Sequence, residues 1–189
     1  MLWDVAPTVL AEGPPRRLCG SRCAGSCGGC GHLGRWSARA RADLDSSIGG
    51  AALSVLTDIG EKSDVPRLFG YLEAAHSGGN DYIYCQCSLV DALARLDYVP
   101  AVPVVEAIFD STVHSYLRIR CAEALSRRSA EFPRGRGVEC LTDCEERTRE
   151  IAIGHVDISV PAVRERLGLI AADPMEGDDN RRVAATRIS

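Results

Sequence analysis

The sequence predicts an all-α protein built from stacked helix pairs, an α-solenoid, and three observations carry that prediction. From Asp43 onward apolar residues recur at the i, i+3, i+4, i+7 rhythm of one buried helix face, with short turns between runs. A Val-Pro dipeptide opens a helix at Val65-Pro66, Val102-Pro103 and Val160-Pro161. The same helix-pair pattern returns every 31 to 37 residues, the period range of α-helical repeat arrays. Aromatic residues make up only 5% of the chain while Ala and Arg abound, which suits helices that approach closely over small side chains.

Taken in order, Ile48, Ala51, Ala52, Val55, Leu56 and Ile59 mark the first helix, and Gly60 closes it because glycine adopts a left-handed C′ conformation without a Cβ clash. Asp64 is expected as N-cap of the next helix, with Pro66 in its first turn and Leu68, Phe69 and Leu72 on its apolar face. An offset of 37 residues then relates Leu56 to Leu93, Ile59 to Leu96 and Pro66 to Pro103. Residues 117–125 form a third copy of the second-helix pattern, in which Leu125 takes the place of Leu93; Thr148 to Val156 and Asn180 to Ile188 are the fourth and fifth. Phe132-Pro133 with Val138 and Leu141 is a glycine-interrupted counterpart of a first helix, and Val163, Leu167 and Ile170 belong to the last one. The acidic run from Glu139 to Glu150 reads as the solvent face of one helix, which also lets Cys140 and Cys144 share a face. Asp178-Asp179 suits the positive end of the helix that follows.

The repeated pattern is an Asp, then an Arg opening an Ala-rich helix, then a Val-Pro start to the following helix. Asp110, Arg118, Ala122, Ala124 and Leu125 carry it, as do Asp173, Arg181, Ala184 and Ala185 and the three Val-Pro pairs. It resembles HEAT repeats of the short bacterial type related to phycobilisome-lyase repeats, over residues 47–188. The resemblance implies an armadillo-like, right-handed superhelix of about four helix pairs whose second helices line a concave face. It also implies that Arg118, Arg149 and Arg181, at equivalent positions of three successive units, link those units through a neighbouring turn's Asp or carbonyls, with Asp110 and Asp173 lying eight residues before two of them. The first two units depart from this pattern, having Gly49 and Gln86 at the arginine position.

Residues 1–42 differ from the repeat domain, residues 43–189. Gly, Pro, Arg, Ser and Cys dominate the stretch and no apolar periodicity persists, so it reads as a disordered leader. Cys19, Cys23, Cys27, Cys30 and His32 fall there at spacings that suit Zn²⁺, and Cys23-x3-Cys27-x2-Cys30 has the spacing of radical-SAM iron-sulfur loops. Neither motif has its context, since no second ligand pair and no strands of an α/β barrel follow; the reading carries no cofactor, with zinc as the alternative. The formal net charge is −4, unevenly spread: residues 1–43 carry six Arg against Asp4, Glu12 and Asp43, leaving −7 on the remainder. No apolar run is long enough to span a bilayer and the first residues lack a secretory pattern, so a cytoplasmic protein with reduced thiols is expected.

No catalytic constellation emerges. Cys85, Cys87, Cys121 and Cys144 read as small hydrophobes on or beside second helices, and His76, His114 and His155 are scattered. The expected function is therefore a non-enzymatic scaffold or adaptor that binds a protein partner on the concave face, with Arg118, Arg120, Arg127 and Arg128 as candidate contacts. Those arginines, with Arg134 and Arg136, also support an alternative: a nucleic-acid-binding or DNA-glycosylase-like HEAT protein, against which the negative net charge weighs. A bilin-lyase-like protein is the second alternative.

Overall fold

The computed structural model describes residues 49–78 and 82–189, which are helical or lie in turns and loops, with no strand among them. The expected leader, with Cys19, Cys23, Cys27, Cys30 and His32, lies outside the described residues. The chain divides into two compact units, residues 1–65 and 66–189.

In the first unit, helix α1 (Gly49–Ile59) buries Ala52, Leu53 and Leu56, and the Gly60 amide closes it on the Leu56 carbonyl at 2.8 Å. Residues Lys62–Asp64 wind into a single 3-10 turn, and the Asp64 carboxylate accepts the Glu61 amide at 2.8 Å, completing a reciprocal capping box. Asp64 directly precedes the next α-helix, which starts at Val65 with Pro66 in its first turn, where a missing N–H is harmless.

The second unit contains the rest of α2 (Val65–Ser77), followed by α3 (Ile83–Arg95), α4 (Val102–Ser111), α5 (Ser115–Arg128), α6 (Arg136–Cys140), α7 (Glu146–His155), α8 (Pro161–Ala172) and α9 (Asp178–Ile188). Helices α3, α5, α7 and α9 pack each on the next, while α4 packs on α5, α6 on α7 and α8 on α9. One position explains how the first series fits: Leu89, Cys121, Ala152 and Ala184 hold the same place in successive copies of the pattern, and all are at most 1% exposed. Small side chains there let backbones approach closely. Around them Leu93, Leu117, Leu125, Ile153 and Val163 are fully enclosed, each contributing about 1.5–3 kcal/mol of apolar transfer.

Helix α3 ends in a left-handed cap. Asp97 has φ 61°, the Tyr98 amide reaches back to Leu93 O at 3.0 Å and the Asp97 amide to Ala94 O at 3.3 Å, the paired bonds of a Schellman motif. Arg128, one repeat later at the end of α5, reinforces it by donating to Ala94 O at 3.2 Å and pairing with the Asp97 carboxylate. Arg187 on α9 does the same for α7, donating to the carbonyls of Ile153 and Val156. A cation at a helix C-terminus both satisfies orphan carbonyls and opposes the negative end of the dipole.

The acidic run expected as one helix is broken. Helix α6 stops at Cys140, residues 141–145 form a loop, and α7 starts at Glu146. Asp143 causes the break: its Oδ1 accepts the Glu145 amide at 2.9 Å, a local turn that competes with helix. Cys140 is consequently buried at the end of α6 while Cys144 is exposed in the loop, and the two share no face. The five-residue α6 also shows why the degenerate unit holds together. Phe132 fills the core beneath it, and a Cβ at Gly137 would lie 2.6 Å from the Phe132 carbonyl oxygen.

Gly137→Ala is therefore expected to destabilise by about 1–3 kcal/mol through overpacking against backbone, whereas Gly70→Ala, on α2 with nothing within 4 Å of the added atom, should stabilise by up to about 1 kcal/mol. Thermal midpoints of the two variants moving in the same direction would refute this account of the α6 contact.

Candidate functional site

The loop before each of α7 and α9 delivers a carboxylate to an arginine one repeat earlier. Arg118, in the first turn of α5, donates from Nε to Asp143 Oδ2 at 2.5 Å and from Nη1 to the Phe109 carbonyl at 3.0 Å, with its guanidinium 3.9 Å from the Phe109 ring centroid. Arg149, at the equivalent place in α7, donates from Nε and Nη2 to Glu176 at 2.6 and 2.8 Å, and from Nη1 to the carbonyls of Asp143 and Cys144 at 2.8 and 3.1 Å. Each arginine thus reaches back to a carbonyl ahead of its own helix and forward to an acid ahead of the next. The acids are nearly enclosed, with side chains 4% and 5% exposed. Burial alone would raise the Asp143 carboxyl, but hydrogen bonds from Arg118 and the Glu145 amide outweigh it and hold it below the ordinary range. The Arg149 hydrogen bond lowers Glu176 in the same way, against its own desolvation.

Of the two acids eight residues ahead of an arginine, Asp110 links to the next helix pair through Arg136 rather than through Arg118, and Asp173 bonds locally. Asp110 is the penultimate residue of α4 and pairs with Arg136 at 2.6 Å; Asp173 accepts the Met175 amide at 2.9 Å in a tight turn. An acid eight residues ahead of its arginine ends the preceding helix, whereas Asp143 and Glu176 stand six and five residues ahead of Arg149 and Arg181, beside the next helix start. Arg181 pairs with Asp178 of its own helix, and its Nε is buried with no partner among the described residues. Gln86, the counterpart of Arg118, donates to Ala75 O at 2.9 Å and so keeps the backward link without a charge.

The arginine cluster that suggested a basic surface is neutralised in place. Arg118 pairs with Asp143, Arg120 with Asp91 at 3.0 Å, Arg127 with Glu123 at 2.6 Å, Arg128 with Asp97, Arg134 with Asp157 at 2.8 Å and Arg136 with Asp110 and Glu139. Hydrogen bonds from Ser159, then Arg134, hold the Asp157 carboxyl down at about 2. Of the four candidate contacts, Arg118, Arg120 and Arg128 are engaged in inter-helix links, while Arg127 pairs within α5 and is the most exposed. Arg120 also stacks 4.7 Å over the Tyr116 ring, and Tyr116 is 44% exposed. Tyr84, at the matching place one repeat earlier on α3 and 76% exposed, meets His114 edge-on at 6.2 Å. The Asp91 to Arg120 bridge ties the two helix surfaces together.

Four of the described thiols, Cys85, Cys87, Cys121 and Cys140, are poor nucleophiles. Burial pushes Cys87 up to about 11 and Cys140 up to about 12, and it raises Cys121 and Cys85 as well, so all four are protonated at neutral pH. Among the described residues no group of three or more His, Cys, Asp or Glu is placed to hold a metal, and no helix is long and apolar enough to cross a membrane. An apolar void between α3, α4 and α5, lined by Val90, Leu93, Val105 and Leu125, has a volume of about 10 Å³, room for one water at most. A larger groove of about 320 Å³ opens beside the last repeat, lined by Thr142, Asp143, Arg149, Arg166, Leu169, Ile170, Asp173, Met175 and Glu176. The sequence pattern carried no signal for it, because its polar residues come from α7, α8 and two loops.

Removing Arg149 leaves Glu176 buried and unpaired. Arg149→Met should lower stability at pH 7 by about 3 kcal/mol, a fall in Tm of roughly 6–12 °C. Because Asp143 and Glu176 titrate below their ordinary values of 3.8 and 4.5, their contribution is complete above those values and is lost as pH falls through the lower folded values. Wild-type Tm should therefore drop between pH 5 and 3, and the drop should be shallower in Arg149→Met; parallel melting curves in that window would contradict the assignment.

No family model matches the chain, and neither does any curated protein or solved structure.

Proposed function

We propose that the protein is a non-enzymatic scaffold of HEAT-like helix pairs, a right-handed solenoid that binds a protein partner on the face formed by its second helices. The observation that carries this reading is the surface strip of Tyr84, Tyr116, Arg120 and Arg127. Two exposed tyrosines at equivalent positions of successive helices, with Tyr82 and Val113 exposed nearby, present aromatic area beside arginine. Tyr and Arg are among the residue types enriched at binding hot spots, Tyr because it brings a large, rigid contact area with few rotatable bonds. The alternating packing of α3, α5, α7 and α9 supports the repeat architecture, because each pair buries its apolar face only against its neighbours.

The nucleic-acid alternative is disfavoured by the six paired arginines, since a guanidinium already bonded to a carboxylate has little to offer a phosphate.

Affinity capture with the full chain and with a Tyr84→Ala/Tyr116→Ala variant tests the proposal. A protein held by the wild type, then identified and titrated by calorimetry, should bind the variant at least tenfold more weakly, with Tm unchanged because both side chains are exposed. Equal binding, or nucleic acid released by salt as the sole captured species, would sink it.

A further inference from the structure

The groove beside the last repeat contains a cation with nothing to hold among the described residues. Two of its acids are committed: Asp143 accepts from Arg118 and the Glu145 amide, and Glu176 accepts from Arg149, Asn180 and the Gly177 amide. Arg149 is saturated by Glu176 and two carbonyls. Arg166, on α8, lines the same groove with its Nε buried and no hydrogen-bond partner among the described residues. A buried donor without a partner is uncommon enough in folded proteins to call for an explanation. Next to it two large apolar side chains stand in solvent, Leu169 at 57% and Met175 at 89% exposure.

We propose that this groove docks a segment of a partner protein carrying one carboxylate side chain beside an apolar one. The carboxylate takes the Arg166 guanidinium, repeating the interaction by which Arg118 and Arg149 hold the loops of their own chain, and the apolar side chain covers Leu169 and Met175. Charge selects a carboxylate over a phosphate. With Asp143 and Glu176 already paired, the Arg166 cation shares the groove with one further acid, Asp173, which opposes a doubly charged phosphate more than a singly charged carboxylate. The volume of about 320 Å³ lies at the small end of the roughly 300–1,000 Å³ range of ligand sites, and it is open along one side, fitting a few residues of a chain. This site is separate from the tyrosine strip and does not depend on it.

Titration of the full chain with the peptide Ac-Leu-Glu-Leu-NH2, followed by NMR at the Arg166 Nε–H and Met175 methyl signals, tests the proposal. Saturable shifts at both signals are expected. Binding should be about tenfold weaker for Ac-Leu-Gln-Leu-NH2 and about tenfold weaker for Arg166→Gln, while Tyr84→Ala/Tyr116→Ala stays within about threefold of wild type. The comparison of the two peptides on wild-type protein stands even if Arg166→Gln misfolds. Absence of saturable shifts, equal binding of the Gln peptide, loss of binding in the tyrosine variant, or equally strong shifts from acetate or inorganic phosphate would overturn it.

Discussion

A guanidinium that reaches forward to a buried carboxylate in the next loop governs how α5, α7 and α9 follow one another. Asp143 and Glu176 are almost wholly enclosed, and an isolated carboxylate in that setting would be strongly destabilising. Each is tolerable only with its arginine in place, so the interaction specifies geometry as much as it stabilises. If the loop ahead of α7 slips, Asp143 loses Arg118; if α7 itself shifts, Arg149 loses both Glu176 and the carbonyls behind it. Hydrophobic packing alone would permit several registers between these helices, because Cys121, Ala152 and Ala184 present similar smooth, small surfaces. A paired charge cannot be satisfied in more than one.

The same logic accounts for the uncharged member of the series. At α3 the arginine position is Gln86, and in the loop ahead of α5, where Asp143 and Glu176 stand relative to Arg118 and Arg149, the residue is Thr112. Charge is absent from both partners rather than from one. Gln86 retains the bond to Ala75 O, the half of the interaction that a neutral amide can supply. Farther along the helices the links change hands: Arg128 and Arg187 grip the C-terminal carbonyls of α3 and α7, so neighbouring helices are fixed at both ends.

Much of the helical organisation was legible in the sequence because it rests on periodicity. The apolar stripes, the Val-Pro starts and the regular spacing of the helix pairs all record which faces are buried, and burial is a local property of residue type. What could not be read was set by geometry between elements. Asp110 looked like the partner of Arg118 because it is near in sequence, yet it sits at the end of α4 while Asp143, far along the chain, arrives from the next loop. The acidic run from Glu139 looked helical because charge says little about backbone path, and the break depends on one Asp side chain bonding the amide two residues on. The cluster from Arg118 to Arg136 looked like a cationic patch because most of its counter-ions, among them Asp91, Asp97, Asp110, Asp143 and Asp157, are distant in sequence or belong to other elements.

That neutralisation bears on what the surface can recognise. An array whose arginines were free would attract any polyanion through long-range fields, with little discrimination. Here most of the charges are matched at short range, leaving a chain of −4 with two features that stand out: two exposed tyrosines beside Arg120, itself paired with Asp91, and the Arg166 guanidinium in a groove next to exposed Leu169 and Met175. The first offers aromatic area with its charge already matched, the second apolar area beside a charge unmatched among the described residues. Apolar area with at most one open charge rewards shape and one well-placed partner group rather than charge density.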